Sequence, residues 1–161
     1  EYIVKLKINI MILFKKGLIL MPKLTPYFLF NGNCKEVLDF YSKVFDTKPI
    51  IETYGDVPAN PEFPISEEMK KLILHAEIKL DSETMMFADV LPDSPVTMGN
   101  NLFVAFRSNN IDKIKKVYNA LSDNAVISME LQKTPWSECY GSLVDKFGMS
   151  WFFNHDKTLD S

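Results

Sequence analysis

One stretch of the sequence decides the fold: Thr134-Pro-Trp-Ser-Glu-Cys-Tyr-Gly-Ser-Leu-Val-Asp-Lys-Phe-Gly-Met-Ser-Trp151. It predicts a loop, a strand, a tight turn over residues 145–148 and a returning strand that begins at Ser150. Asp145 favours a turn, and Gly148 tolerates the positive φ that many turns require. We therefore interpret these two residues as turn residues of a closing hairpin rather than as catalytic groups.

The closing hairpin ends a unit that occurs twice in the chain. Apolar residues at helical spacing predict one helix in each half, over residues 34–45 and 111–122. Asn33, together with Glu36, and Asn110 have the chemistry and position of helix caps. The remaining apolar runs predict the strands, which cover residues 25–30, 48–54, 72–80 and 84–90 in the first half and 101–107, 126–131, 140–144 and 150–153 in the second.

Each half therefore follows the order strand, helix, strand, strand, strand. A unit of this kind cannot close a core alone, so two copies imply a fused pair. The helix in each half excludes a pure β-sandwich, and the hairpin connections exclude a doubly wound fold. The prediction is an α+β fold of paired βαβββ modules that form two curved mixed sheets, each cupping a space.

The segments outside the repeated unit also carry predictions. Residues 1–20 precede Met21, which has the position of a natural start, so we interpret them as an N-terminal extension of non-native origin. Their apolar residues alternate, and we expect them to pack on this domain or on a second subunit. The loop 55–68 contains three prolines and is expected to form a lid or a pocket wall. The predicted divisions are an extension over 1–20, a first module over 21–91, a linker over 92–100, a second module over 101–156 and a tail over 157–161.

The composition narrows the classes of function. The 161 residues are 47% hydrophobic and 24% charged, with a net charge of −3, as expected of a globular chain. The sequence shows no basic cluster of the kind that a nucleic-acid surface needs. Lysines interrupt the apolar N-terminal run, which argues against a membrane span. The two cysteines, Cys34 and Cys139, lack metal-type spacing, so we expect ordinary thiols in a reducing, cytoplasmic setting.

Three motifs together carry a family resemblance: the run Thr-Pro-Tyr-Phe-Leu-Phe-Asn-Gly-Asn-Cys-Lys-Glu-Val-Leu-Asp-Phe-Tyr over residues 25–41, His75-Ala-Glu77, and the closing stretch. They resemble the PhnB-like branch of the glyoxalase/bleomycin resistance/dioxygenase (vicinal oxygen chelate) superfamily. The resemblance implies paired βαβββ modules, a homodimer and a small-molecule ligand. Some relatives carry the label 3-demethylubiquinone-9 3-methyltransferase. No glycine-rich loop follows a strand here to hold S-adenosylmethionine, so these residues give that label no support.

The resemblance also implies where a metal would lie. Enzymes of the superfamily typically hold a divalent metal with four side chains from the first and last strands of each module. The corresponding positions in this sequence are Pro26, Phe87, Asn101 and Phe152. The side chains of proline and phenylalanine have no lone pair to offer a metal, and a single Asn is a poor ligand. Shifting the strand alignment by two residues would place Asp89 and Asn154 at the metal positions, which adds only one carboxylate. We therefore predict that the usual metal site is absent and that no cofactor is bound.

His75 and Glu77 are the candidate catalytic residues. They lie two apart on a predicted strand and therefore share one face. Histidine titrates near neutral pH, and a carboxylate can orient its ring, so the pair could transfer a proton. The alternative is a hydrogen-bonded histidine on a half-buried strand.

The candidate ligand contacts are mostly aromatic, because flat rings can stack on a flat or apolar ligand. Trp136 follows a proline on a predicted loop, which favours a pocket mouth. Trp151 lies on the last strand and is equally consistent with the core. The predicted set comprises Tyr27, Asp89, Asn101, Trp136, Tyr140 and Trp151.

Three functions remain open on the sequence. The first is a PhnB-like small-molecule-binding protein without the usual metal, in which His75 and Glu77 would carry any catalysis. The second is a metal-dependent lyase or dioxygenase that uses unconventional ligands such as His75, Glu77 and Asp89. The third is a protein that sequesters its ligand without catalysis, as resistance-type members of the superfamily do.

Overall fold

The computed structural model describes residues 24–58, 64–80 and 83–159. The predictions for residues 1–20 and for the centre of the proline-containing loop lie outside these ranges. The elements follow the predicted order twice. They are β1 (Tyr27–Phe30), α1 (Cys34–Val44), β2 (Ile50–Thr53), β3 (Ile73–Leu80), β4 (Glu83–Asp89), β5 (Phe103–Ser108), α2 (Ile111–Leu121), β6 (Val126–Thr134), β7 (Ser137–Val144) and β8 (Ser150–His155), with short 3₁₀ turns at Tyr54–Asp56, Met69–Lys71 and Lys157–Leu159.

The strands form two four-stranded sheets with the same internal order, β1-β4-β3-β2 and β5-β8-β7-β6. In each sheet the first and last strands of the half pair in parallel, and the other neighbours pair antiparallel. Both sheets are therefore mixed, and the predicted α+β fold class is confirmed. Among the described residues, no helix is long and apolar enough to cross a membrane.

The two helices lie between the two sheets, on one shared core. Each helix buries the face that its helical spacing predicts, with Tyr41 at the centre of the α1 face. The Tyr41 ring lies 5.9 Å from the Phe87 ring of its own sheet and 5.7 Å from the Trp151 ring of the other sheet. Because the helices fill the space between the sheets, no helix among the described residues covers the other face of either sheet. We call these helix-free faces the first and the second open face.

The cap predicted at Asn110 is confirmed. Its side-chain oxygen accepts the backbone N–H groups of Asp112 and Lys113 at 2.9 and 3.0 Å. These are two of the donors that a helix start leaves without a partner, and a side-chain acceptor satisfies them locally. The start of the second helix is therefore set by the residue that directly precedes it in the sequence.

Asn33 occupies the predicted N-cap position, but its side chain makes no capping hydrogen bond, so the predicted side-chain cap with Glu36 is wrong. The carboxylate of Asp89 takes that role: it accepts the N–H of Cys34 at 2.9 Å and, through its other oxygen, the N–H of Ile73 at 2.9 Å. A negative charge beside a helix N-terminus also interacts favourably with the helix dipole. Asp89 is 55 residues away in sequence from the helix that it caps, so local pattern could not reveal it.

The turn predicted at residues 145–148 is confirmed. The N–H of Gly148 donates to the carbonyl oxygen of Asp145 at 2.9 Å, and Gly148 has a φ of +83°. Strand β5 begins two residues later than predicted, which leaves Asn101 outside it. Strands β6 and β7 are longer than predicted and extend to Trp136 at the turn between them. The polar residues 132–134 gave no apolar strand signal, yet the partner strand orders them.

Candidate functional site

The first open face carries the predicted catalytic pair. Strand pairing places Tyr27 opposite Met86 and Met86 opposite Glu77, so these side chains share one face, and His75 joins them two residues before Glu77. Tyr27 is 49% exposed, and the side chains of His75 and Glu77 are 33% and 29% exposed. The structure therefore brings Tyr27, His75 and Glu77 together on a surface that a ligand can reach.

The geometry of the pair shows what it could do. The Nε2 atom of His75 lies 3.6 Å from Oε1 of Glu77, and Nζ of Lys79 lies 3.2 Å from Oε2. The ammonium of Lys79, and to a smaller extent His75, holds the pKa of Glu77 below its usual range. Glu77 is thus an anion that can orient the imidazole ring of His75. Sequence reasoning missed Lys79, although its period-two spacing from Glu77 was a signal.

The Tyr27 ring completes this group. Its centroid lies 6.0 Å from that of His75, and the two rings meet edge to face at 72°. This arrangement fixes one side of the imidazole without covering it. The first open face therefore combines an exposed aromatic ring with a His–Glu pair.

The second open face carries a row of four aromatic rings, which we call the aromatic row: Phe103, Phe152, Tyr140 and Trp136. Neighbouring centroids along the row lie 6.5, 6.1 and 5.7 Å apart. Trp136 is 68% exposed and Phe103 is 46% exposed. A continuous exposed aromatic surface of this kind makes the second open face a candidate binding surface.

Sequence reasoning found half of the aromatic row. Trp136 and Tyr140 were predicted ligand contacts, whereas Phe152 was considered only as a metal position and Phe103 was not among the predicted contacts. The missed signal lies in the last strand, where Trp151 and Phe153 occupy the buried face and Phe152 must therefore point the other way.

Three predicted ligand contacts belong neither to the group on the first open face nor to the aromatic row. Trp151 is 1% exposed, in the core, and its indole N–H donates to Asp145 at 2.9 Å. Asp89 is 4% exposed, and both its oxygens accept backbone N–H groups. Asn101 is exposed in the segment before β5, off the strand. The structure gives Asp89 and Trp151 roles in the interior, so neither joins the candidate site.

The residues at the superfamily's metal positions do not fit a divalent metal. Phe87 is fully buried on the helix side of its sheet, and Phe152 belongs to the aromatic row; neither Phe nor Pro26 has a donor atom in its side chain. The proposed unconventional set fails on geometry, because Asp89 lies on the opposite side of its sheet from His75 and Glu77. Within the described ranges, no three His, Cys, Asp or Glu side chains gather as a metal would require.

Both cysteines are free and buried. Burial raises the pKa of the Cys34 and Cys139 thiols, and the nearby carboxylate of Asp89 adds to the rise at Cys34. A raised pKa disfavours the thiolate, which is the reactive form. The geometry agrees with the interpretation of both residues as ordinary thiols.

The duplicated mixed sheets, the helices between them and the two open faces define an α+β protein with the glyoxalase/bleomycin resistance fold. A glyoxalase/bleomycin resistance protein from Albidiferax ferrireducens T118 shares this fold, with a TM-score of 0.54 at 12% identity, over 83% of this chain and 99% of that one. A family model described as 3-demethylubiquinone-9 3-methyltransferase matches residues 22–153, and the chain belongs to this family.

Individual relatives agree with this assignment. Protein YjdN of Escherichia coli (strain K12) is 25% identical over 146 residues, which cover 83% of this chain and 95% of YjdN. The structure of PA1353 from Pseudomonas aeruginosa has a TM-score of 0.73 at 24% identity, over 83% of this chain and 97% of that one. The PhnB protein from Bacillus cereus has a TM-score of 0.60 at 24% identity, over 83% and 98%. At these identities the structural neighbours show the fold alone.

Proposed function

We propose that the protein binds a flat, apolar small molecule on its second open face, without a metal. The observation that carries this proposal is the aromatic row, in which four rings from three strands and a turn lie in contact and remain open to solvent. A planar ligand would stack on these rings and remove apolar surface from water on both sides. The three rings that lie on strands lose little freedom when the ligand binds.

We further propose that a second copy of the chain closes the site. Two faces, one aromatic and one bearing Tyr27, His75 and Glu77, are open on each chain, and each would gain from being covered. If the first open face of one copy meets the second open face of its partner, the ligand lies between an aromatic wall and a proton-exchanging wall. The two free cysteines support a cytoplasmic location for this homodimer.

A thermal-shift screen of planar carboxylates, quinones and heteroaromatic compounds tests the proposal, because a ligand that binds only the native state raises the melting temperature. The Trp136→Ala variant should weaken binding of any hit about fivefold or more, since loss of a stacking ring costs about 1–3 kcal/mol. The matched control is Val57→Ala, which truncates an exposed apolar side chain outside the strands of both sheets. Equal affinities in the two variants would show that the aromatic row is not the site.

His75 and Glu77 favour a second candidate, in which the bound molecule also undergoes proton transfer. The supporting observation is the 3.6 Å separation of the imidazole and the carboxylate on a surface facing solvent. For a ligand found in the screen, His75→Ala should leave the affinity within about twofold and abolish turnover, because the ring would exchange a proton rather than stack. A ligand that stays chemically unchanged with the wild-type protein would leave sequestration as the function.

A further inference from the structure

Asn154 brings a polar group to the middle of the aromatic row. It follows Phe152 by two residues on β8, and strand pairing places it directly opposite Tyr140 on β7. Side chains in these positions point to the same face of a sheet, and directly opposite Cβ atoms lie about 4.5–5.5 Å apart. The carboxamide of Asn154 therefore lies beside the two central rings of the row.

The carboxamide of Asn154 is available to a ligand. Asn154 is half-buried, and its side chain has no hydrogen-bond partner among residues 24–58, 64–80 and 83–159. No buried side-chain nitrogen or oxygen in these ranges lacks a partner, so the amide atoms of Asn154 reach solvent. A carboxamide presents a hydrogen-bond acceptor and a donor side by side. A ligand that displaces water from these atoms must supply the complementary pair or lose affinity.

The charged groups next to Asn154 compensate each other. Arg107 lies beside Asn154 in the parallel pairing of β5 and β8, and Asp156 follows Asn154 by two residues. The guanidinium of Arg107 donates to Oδ2 of Asp156 through Nε, at 3.1 Å, and through Nη2. A guanidinium and a carboxylate in contact carry no net charge together, so this pair gives an ionic ligand no advantage over a neutral one.

We infer that the ligand of the aromatic row is a neutral planar lactam, whose adjacent N–H and C=O groups pair with the carboxamide of Asn154. This inference rests on the function proposed above, and it adds the chemical class of the ligand and the residue that selects it. The oxygen of Asn154 accepts the lactam N–H, and its nitrogen donates to the lactam carbonyl, while the ring stacks against Phe152 and Tyr140. A hydrocarbon of the same shape would leave the carboxamide without partners, which lowers its affinity.

The exposed indole of Trp136 can report binding at the aromatic row. The chain has two tryptophans, and the indole N–H of Trp151 is buried and donates to Asp145, so its resonance is an internal reference. A Trp136→Phe variant assigns the two resonances in a nitrogen–proton correlation spectrum. The probe is 1-isoquinolone, a bicyclic lactam, and its titration should shift the Trp136 resonance and leave that of Trp151 in place. N-methyl-1-isoquinolone has the same rings without the N–H and should bind about fivefold more weakly or worse.

Two variants test Asn154 itself. Asn154→Ala should weaken binding of 1-isoquinolone about fivefold or more and leave that of the N-methyl compound within about twofold. Asn154→Asp replaces the amide donor with a second acceptor of the same size. It should favour protonated 1-aminoisoquinoline, whose two adjacent N–H donors match a carboxylate, so the preference between the two ligands should reverse. Asn119→Asp is the matched control, since it makes the same change at an exposed position of α2, outside the strands.

Several outcomes overturn the inference. If the N-methyl compound binds as tightly as 1-isoquinolone, or if Asn154→Asp behaves like Asn119→Asp, Asn154 does not select the ligand, although the aromatic row still binds planar rings. If isoquinoline-1-carboxylate binds the wild-type protein more tightly than the lactam, the site selects an anion and the neutral class is wrong. If none of these compounds shifts the Trp136 resonance, the aromatic row is not the site, and the proposed function fails together with this inference.

Discussion

The phenol of Tyr41 donates a hydrogen bond of 2.6 Å to the carboxylate of Asp145, and this contact joins the helix of the first module to the closing turn of the second. The same carboxylate accepts the backbone N–H groups of Phe147 and Met149 and the indole N–H of Trp151. Asp145 is only 4% exposed, and a buried carboxylate needs such a set of donors. Asp145, which the sequence predicted as a turn residue, therefore also fixes how the two modules meet.

We expect Tyr41→Phe to lower the free energy of unfolding by about 1.5–3 kcal/mol, because it removes a buried hydrogen bond to a charged acceptor. Urea denaturation followed by circular dichroism measures the change. Tyr54→Phe is the control: Tyr54 is a half-buried residue, and loss of its hydroxyl should cost about 0.5 kcal/mol or less. Equal losses in the two variants would contradict a special role for the Tyr41–Asp145 contact.

The same contact predicts a loss of stability at alkaline pH. Burial, and then the Asp145 carboxylate, raise the pKa of Tyr41 well above the value of about 10 for a free tyrosine. The folded state then holds the phenol proton more tightly than the unfolded state. Its stabilisation is complete below about pH 10 and is lost as the pH rises further.

Denaturation midpoints between about pH 8 and 11.5 should therefore fall more steeply for the wild-type protein than for Tyr41→Phe. Tyr27 and Tyr118 also have raised pKa values, that of Tyr118 to about 12, but both residues are present in both proteins. The difference between the two curves thus reports Tyr41. Parallel curves would show that Tyr41 has the same pKa in the folded and unfolded states.

Asp89 should prove to be a structural residue and not a ligand contact. Asp89→Ala leaves the N–H groups of Cys34 and Ile73 buried without acceptors, which should cost about 2–4 kcal/mol. Asp89→Asn keeps one oxygen, so it should lose roughly half as much. Chemical denaturation gives both values. A stable Asp89→Ala protein that fails to bind a ligand from the thermal-shift screen would restore the original prediction.

The proposed homodimer can be tested on the aromatic row. Phe103→Glu places a charge on a face that a second copy would cover, which should weaken the dimer about tenfold or more. Size-exclusion chromatography with light scattering measures the shift toward monomer. Val57→Glu makes the same kind of change at an exposed apolar residue outside the strands of both sheets. A wild-type protein that is monomeric at high concentration would exclude the dimer and leave the open faces uncovered.

Several features of the site could be predicted from neighbouring residues in the sequence. The period-two spacing of His75 and Glu77 placed both side chains on one face, and the structure shows them 3.6 Å apart. The proline before Trp136 favoured an exposed position, and that residue is 68% exposed. In each case the deciding geometry spans only a few residues, where backbone periodicity leaves little freedom.

Other features depend on which strands become neighbours. The aromatic row forms only because β8 lies between β5 and β7, which brings Phe152 between Phe103 and Tyr140. The cap of α1 comes from Asp89, at the end of a strand 55 residues away. A one-dimensional pattern carries no information on such pairings, because the same alternation of apolar residues is compatible with many strand orders.

The sequence by itself determined the βαβββ repeat, the turn at residues 145–148 and the family, because each rests on local backbone preferences or on short motifs. The tertiary structure alone decided the roles of two acidic residues. The sequence predicted Asp145 as a turn residue and Asp89 as a ligand contact. In the fold both residues are buried, and both accept hydrogen bonds from N–H or O–H groups of distant elements. A buried carboxylate is stable only when hydrogen-bond donors surround it, and here donors from distant parts of the chain reach it only in the folded structure.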